Sequence, residues 1–325
     1  SDALKKEIDK LTFIPNKRAL KIIPKTKDYL LVPVERNRSA IFIENINFTE
    51  EDEELFWNLL CFSGTFYTLE GIYFQDCLFS AFYNCPYSRM EAQATFNNCT
   101  FEKTFAPAGW VEHRLSFEHC IINGEFDFRK TNFKNNLNIS NCIFQINSSL
   151  RMDGSQFSPL FNKEGNHNTF SIYYTLFSGK ASFKDLKMGT GSIKIQYVGF
   201  NNLFYFNEAD LGTDGTFKYI SFPHIKNAQY EICKRTFADL LEQFGYKSDA
   251  EALGLTSSDN LLLDTENTKF VQSCKMGWLN PTQASVFISR SKSWLAKKRM
   301  ADKKKTTKSS LPFVGEKKKI YYPRR

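Results

Sequence analysis

The chain has 325 residues, 43 Lys and Arg against 35 Asp and Glu, a formal net charge of +8, and 42% hydrophobic residues. That is enough apolar sequence to bury one large core or two smaller ones, but no run of 18 apolar residues occurs, which argues against a transmembrane helix. Thirty-two Phe against five Met point to an architecture that stacks aromatic rings.

The N-terminal SDALKKEIDKL has no apolar signal core. Ser1 or Asp2 followed by Leu4, Ile8 and Leu11 predicts a short helix, and the chain from there to residue 40 reads as irregular and basic. Through the middle of the chain a six-residue pattern recurs at intervals of eleven: FQDCLF from Phe74, FNNCTF from Phe96, FEHCII from Phe117 and ISNCIF from Ile139. Weaker copies start at Cys85, Phe128, Met152, Ile172, Phe183, Ile195, Phe206 and Phe217. Each has a large apolar residue, two mostly polar ones, a small or apolar residue, a variable one, then another large apolar residue. A period kept this long means a repeat architecture, in which each unit buries its apolar face by stacking on its neighbours.

Cys77, Cys99, Cys120 and Cys142 are 22, 21 and 22 residues apart, twice the interval. A right-handed β-helix with coils of about that length brings them into one column, with coils about 4.8 Å apart. Large residues five apart, such as Phe74 and Phe79, are then expected to stack in columns on one face, with the small residue between them filling the core. An amphipathic helix would need apolar spacings of three and four, whereas Asn, Gly and β-branched residues between copies suit turns and short strands. From Ile43 to Phe222 there is room for about eight coils, a rod roughly 40 Å long. The predicted class is an all-β solenoid, a right-handed β-helix with helical caps. An open end would pair with other strands, so residues 1–40 and EEDEELFWNLL at 50–60 are the expected N-terminal cap. Four of the eight Cys occupy equivalent positions, where a thiol acts as a small hydrophobe. Ladder neighbours a strand spacing apart are too far for a relaxed disulfide, and no CxxC pair offers a zinc site. A reduced ladder and a cytoplasmic location are expected, with no metal or cofactor.

These residues resemble the pentapeptide-repeat family, whose five-residue unit puts a small residue two positions before a central Leu or Phe. Cys77 before Phe79, Cys99 before Phe101, Thr131 before Phe133, Cys142 before Phe144 and Ala209 before Leu211 carry the relation, within residues 41–222. The small position passes to Leu186, Val198 and Ile220, and the period breaks at 103–115 (KTFAPAGWVEHRL) and 158–169 (SPLFNKEGNHNT), which read as loops projecting from the rod. The resemblance implies a four-sided right-handed β-helix and a protein that binds other macromolecules; it implies no substrate.

After the last coil, Pro223 suits a first helical turn. Tyr230, Cys233, Phe237, Leu240, Leu241 and Phe244 follow at helical spacing, and Gly245 ends the helix. Ser248 and Glu251 pair as a capping box for a second short helix closed by Gly254. KRTFADLLEQFGYKSDAEAL is similar to the helical hairpin that often follows the repeats in bacterial pentapeptide-repeat proteins, and is expected to cap the rod. The chain thus divides into an N-terminal cap (1–40), the β-helix (41–222), a helical hairpin with linker (223–289) and a basic tail (290–325).

Residues 41–222 carry a formal net charge of −7 and residues 290–325 carry +12. PTQASVFISRSKSWLAKKRM reads as a basic amphipathic helix with Phe287, Trp294 and Leu295 on one side. Beyond it the chain is too polar and Pro-broken to build a core. The candidate contacts to an acidic partner are Lys297, Lys298, Arg299, Lys303, Lys304, Lys305, Lys317, Lys318, Lys319, Arg324 and Arg325, with Tyr321 and Tyr322 able to stack on bases. Catalytic signals are weak: His113, His119, His167 and His224 lack metal spacing, and no GxSxG, HExxH, P-loop or dinucleotide motif occurs. GTGS (189–192) and GTDG (212–215) read as turns. A carbohydrate-active β-helix enzyme would need Asp127, Asp153, Asp185 and Asp210 to converge on one outer face. The expectation is a non-enzymatic scaffold in a larger complex with protein partners, held through its tail to nucleic acid or a nucleoprotein. The rivals are a DNA-mimicking inhibitor, a peripheral membrane protein and that enzyme.

Overall fold

The eleven-residue interval is half a coil. The computed structural model describes residues 2–10, 19–25, 28–34, 40–61, 71–158 except 82 and 108, 168–222 except 213, 227–249 except 247, 278–279, 314–316 and 319–323. The repeats wind into a right-handed parallel β-solenoid of about eight turns of about 22 residues. Ile72, Ala94, Leu115, Leu137, Phe170 and Ile193 are partners in successive coils, so the register is one strand per coil per face.

Four faces result. The first runs from Ile41–Glu44 through Ile72–Gln75, Ala94–Asn97 and onward to Asp214–Ser221. The second holds two-residue strands such as Leu78–Phe79 and Thr100–Phe101, and joins the first in one sheet at Ser192–Phe200. The third runs from Tyr83–Asn84 to Phe204–Tyr205 and the fourth from Arg89–Met90 to Gln156–Phe157. Phe74 and Phe79, expected on one face, lie on adjoining faces, because five residues span a corner. Both still point inward and both still stack: Phe74 on Phe96 at 4.7 Å, Phe79 on Phe101 at 4.7 Å.

That corner is made the same way in every coil. Asn45, Asp76, Asn98, His119, Asn141, Tyr174, Tyr197 and Tyr219 all have positive φ, between 48° and 58°. Asn and Asp tolerate this left-handed conformation, and the turn it makes aims the next residue inward. Hence the ladder: Cys77, Cys99, Cys120 and Cys142 are buried, and their thiols donate to Ile43 O, Phe74 O, Phe96 O and Phe117 O at 3.3–3.5 Å. Burial pushes the Cys99 and Cys142 thiols up. Thiol-reactive reagents are expected to spare these four in the folded protein; rapid native labelling of Cys99 or Cys120 would contradict the inward column.

The stretch 103–115, expected to project as a loop, is part of the wall. Phe105, Val111 and Leu115 are buried, and Phe105–Ala106 and Trp110–Val111 are strands of the third and fourth faces. The other expected loop is outside the described residues at 159–167, with Ser158 and Asn168 at its ends joined by an Asn168 side-chain hydrogen bond.

The N-terminal cap has three parts. Helix α1 (Asp2–Asp9) buries Leu4 and Ile8. The chain beyond it is not irregular as expected: β1 (Ala19–Lys25) and β2 (Asp28–Val34) form an antiparallel hairpin, and β1 adds in parallel to the first face. A 3-10 turn at Glu50–Asp52, closed by a Thr49–Asp52 capping box, leads into α2 (Glu53–Cys61). This helix follows the second-face strand of the first coil and drives Phe56, Trp57, Leu59 and Leu60 into the core. At the other end, α3 (Ala228–Gln243) starts later than Pro223 would suggest, because Asn227 is the N-cap, accepting from the Gln229 and Tyr230 N–H groups. Gly245, at φ +81°, closes it in a Schellman arrangement with Tyr246 N–H on Leu241 O at 2.8 Å. Phe237 of α3 packs on Phe206 at 4.5 Å, so this helix covers the last coil. Ser248 and Asp249 are helical, and the rest of the expected second helix lies outside the described residues.

Candidate functional surfaces

Each of the four repeat aspartates is engaged by a hydrogen bond or an ion pair. Asp127 is held by the Arg129 guanidinium through both oxygens, with Nε to Oδ1 at 2.7 Å. Partial burial pushes the Asp127 carboxyl up, but the hydrogen bonds and charge of Arg129, with Arg151 behind it, outweigh that and lower it overall. Arg151 Nη1 also lies 3.1 Å from Glu125 and its Nε 3.8 Å from Asp153, and Lys187 lies 3.7 Å from Asp185. A general acid needs a raised carboxyl; Arg129 does the opposite to Asp127.

Asp210 has another task. Its two oxygens accept the Gly189 N–H at 3.1 Å and the Gly212 N–H at 2.8 Å, tying the turns of GTGS and GTDG together. The Gly189 and Gly212 amides are thereby engaged and not open to a phosphate. Among the described residues no group of three metal-ligating side chains forms, and no helix is long and apolar enough to cross a membrane.

Three surface features stand out instead, and none was legible as a site in the sequence. A groove of about 500 Å³ runs between α3 and the end of the third face, lined among others by Lys184, Asp185, Tyr205, Glu208 and Ile232. Lys184 Nζ sits 4.7 Å over the Tyr205 ring, and Gln229 Nε2 donates to the Tyr205 hydroxyl at 3.1 Å. Burial pushes the Cys233 thiol at its floor up, and the Tyr205 phenol likewise. On the fourth face Trp110 is 44% exposed, with Lys134 Nζ 4.4 Å from its ring. Along the left-handed corner Tyr174, Tyr197 and Tyr219 stack at 4.5 Å intervals, with Tyr174 half exposed. Their 23- and 22-residue spacing, in phase with Asn98 and Asn141, is the signal that would have found them.

Charge is uneven along the rod. Residues 41–120 carry 12 acidic against three basic side chains, and residues 121–222 carry eight against 10. Five of the acidic residues, Glu50 to Glu54, form the 3-10 turn and the start of α2, and a helix dipole favours Glu53 and Glu54 in its first turn.

In the basic C-terminal segment, expected to form no core, the backbone pairs into strands. Val314–Glu316 and Lys319–Pro323 are antiparallel with Val314 opposite Tyr321 and Glu316 opposite Lys319, and Trp278–Leu279 pairs on the other side. Of the candidate contacts, Lys319, Tyr321 and Tyr322 lie on this ribbon. Lys297, Lys298, Arg299, Lys303, Lys304, Lys305, Lys317, Lys318, Arg324 and Arg325 lie outside the described residues. No protein-family model matches the chain, and no curated protein or solved structure matches it either.

Proposed function

We propose that the protein is a non-catalytic binding scaffold whose solenoid offers a rigid surface to a partner macromolecule, while its basic C-terminal segment attaches it to nucleic acid or a nucleoprotein. The observation that carries this reading is the separation of charge: +12 within residues 290–325, against −7 over residues 41–222. The antiparallel ribbon supports it. Lys319, Tyr321 and Tyr322 lie on its longer strand, and a two-stranded ribbon is one of the shapes that the major groove of DNA admits. Tyr321 and Tyr322 would add about 1–3 kcal/mol each if bases stacked on them. The inward small-residue column and the four faces support the resemblance to pentapeptide-repeat proteins, and with it a role in macromolecular binding.

The rival readings fare less well. A mimic of duplex DNA needs carboxylates spread along the rod, whereas here they gather toward the α2 end. A carbohydrate-active site needs a carboxyl kept protonated, and Asp127 is shifted the other way. A membrane surface remains an outcome of the test.

The test compares the full chain with a version ending at Ser289 on single-stranded nucleic acid, duplex and anionic vesicles across a salt series. Full-length protein should bind nucleic acid with an affinity that falls steeply with salt, and the truncated form should lose it. Replacing Lys317, Lys318 and Lys319 together by Ala should lower the slope of log affinity against log salt by about three. Unchanged binding after truncation, or retention by vesicles alone, would overturn the attachment.

A further inference from the structure

Two thiols outside the ladder come close together. Cys61, the last residue of α2, and Cys85, just past the Tyr83–Asn84 strand in the second coil, have Sγ atoms 3.4 Å apart. A disulfide needs about 2.05 Å, so a side-chain adjustment of about 1.4 Å would join them without unwinding a coil. Their exposures differ. Cys61 is 5% exposed, whereas Cys85 is partly open to solvent. The ladder thiols are sealed in the core, and each gives its hydrogen to a backbone carbonyl. The hydrogen bond to Cys85, then burial, push the Cys61 thiol up. Cys61 is therefore the partner that keeps its proton, and Cys85 is the more open sulfur, the one an oxidant can reach.

We propose that Cys61 and Cys85 form a peroxide-reactive dithiol, and that its disulfide clamps α2 to the second coil. In the first step the Cys85 thiolate attacks one oxygen of a hydroperoxide. The O–O bond breaks, Cys85 becomes a sulfenic acid, and hydroxide or alkoxide leaves and takes a proton. In the second step Cys61 sulfur attacks the Cys85 sulfur, the S–O bond breaks, and hydroxide leaves as water with the Cys61 proton. With hydrogen peroxide, two thiols lose two electrons and two protons in all, and the peroxide becomes two waters. The bond closes a loop of chain between residues 24 apart in sequence, and it ties the helix that fills the first coil to the wall below it. Closing such a loop removes entropy from the unfolded chain.

The experiment uses the full chain with Cys274→Ser, so that no cysteine outside the described residues competes. Hydrogen peroxide is added to the folded protein, remaining thiols are alkylated in denaturant, and unreduced peptides are read by mass spectrometry. A Cys61–Cys85 linked peptide should accumulate while Cys77, Cys99, Cys120 and Cys142 stay alkylatable. Oxidation should raise Tm by about 5 °C, and dithiothreitol should reverse the rise. Cys61→Ser should leave a sulfenic acid on Cys85 that dimedone traps. Should that variant misfold, Cys85→Ser at the more open position should abolish both the link and the Tm rise. Oxidation of Cys85 to sulfinic acid without a link, a link to any other cysteine, or a link that leaves Tm unchanged would overturn the proposal.

Discussion

Phe56→Ala is expected to destabilise the protein by about 3–5 kcal/mol, the range for removing a fully buried aromatic ring. Phe56 sits on α2 yet touches rings from three coils: Phe48 at 5.9 Å, Phe74 at 5.5 Å, Phe79 at 5.4 Å, Tyr83 at 4.9 Å and Phe105 at 6.3 Å. Most of these contacts are edge-to-face, the geometry that favours aromatic pairs beyond area alone. Among the described residues the first coil has no strand on the third or fourth face, so none of them is positioned to fill the space the ring would vacate. Urea unfolding would read the loss. A drop below about 1 kcal/mol, the average for point mutants, would mean that α2 does not fill the end of the solenoid.

The second large effect belongs to a backbone without a side chain. At Gly179, where the second face turns into the third, a Cβ would stand 2.0 Å from Ser148 O and 2.6 Å from Gln145 O. Gly124, in the same column, would place one 2.0 Å from Lys103 O. The turn of one coil rests on the carbonyls of the coil below, and those carbonyls are held by the wall hydrogen bonds, such as Lys180 N–H on Ser148 O at 3.1 Å. Gly179→Ala must shift backbone, and a loss of about 3 kcal/mol or more is expected. Gly109→Ala is the control. Its nearest contact would be 3.7 Å away, and the change should fall within about 0.5 kcal/mol. Equal losses at the two positions would show that crowding at the corner is not the cause.

What the sequence made legible was the half of each coil that repeats most strictly. The left-handed corner and the inward Cys after it demand particular residue types, so Asp76-Cys77 and Asn98-Cys99 recur and announce the period. The third and fourth faces impose only an inward apolar residue, met by Tyr83, Met90, Phe105 or Val111; a weaker demand leaves a weaker pattern, and 103–115 therefore looked like a break. Prolines hid the β1–β2 hairpin. Leu20 N–H donates to Ala40 O on the side of the first face, and Pro33 lies opposite Leu20, so in an antiparallel ladder the missing N–H of Pro33 points away from β1. Between the strands of the C-terminal ribbon the sequence offers no Asn-Gly or Asp-Gly signal of a tight hairpin. For the candidate surfaces the difficulty is different. Trp110 and Tyr205 acquire their surroundings from other coils, and proximity across coils can be read only after the register is known.

The register also determines how the molecule responds to force. Hydrogen bonds between coils, such as Ile72 N–H on Gln93 O and Ala94 N–H on Arg114 O, run along the rod, so tension applied end to end loads one coil interface after another in series. Sideways tension would load many interfaces at once. Pulled along its axis, the rod is built to give way by single coils, each surrendering about 22 residues and about 75 Å of chain. The weakest interface, and not the sum of all of them, sets the load that a partner can place on it.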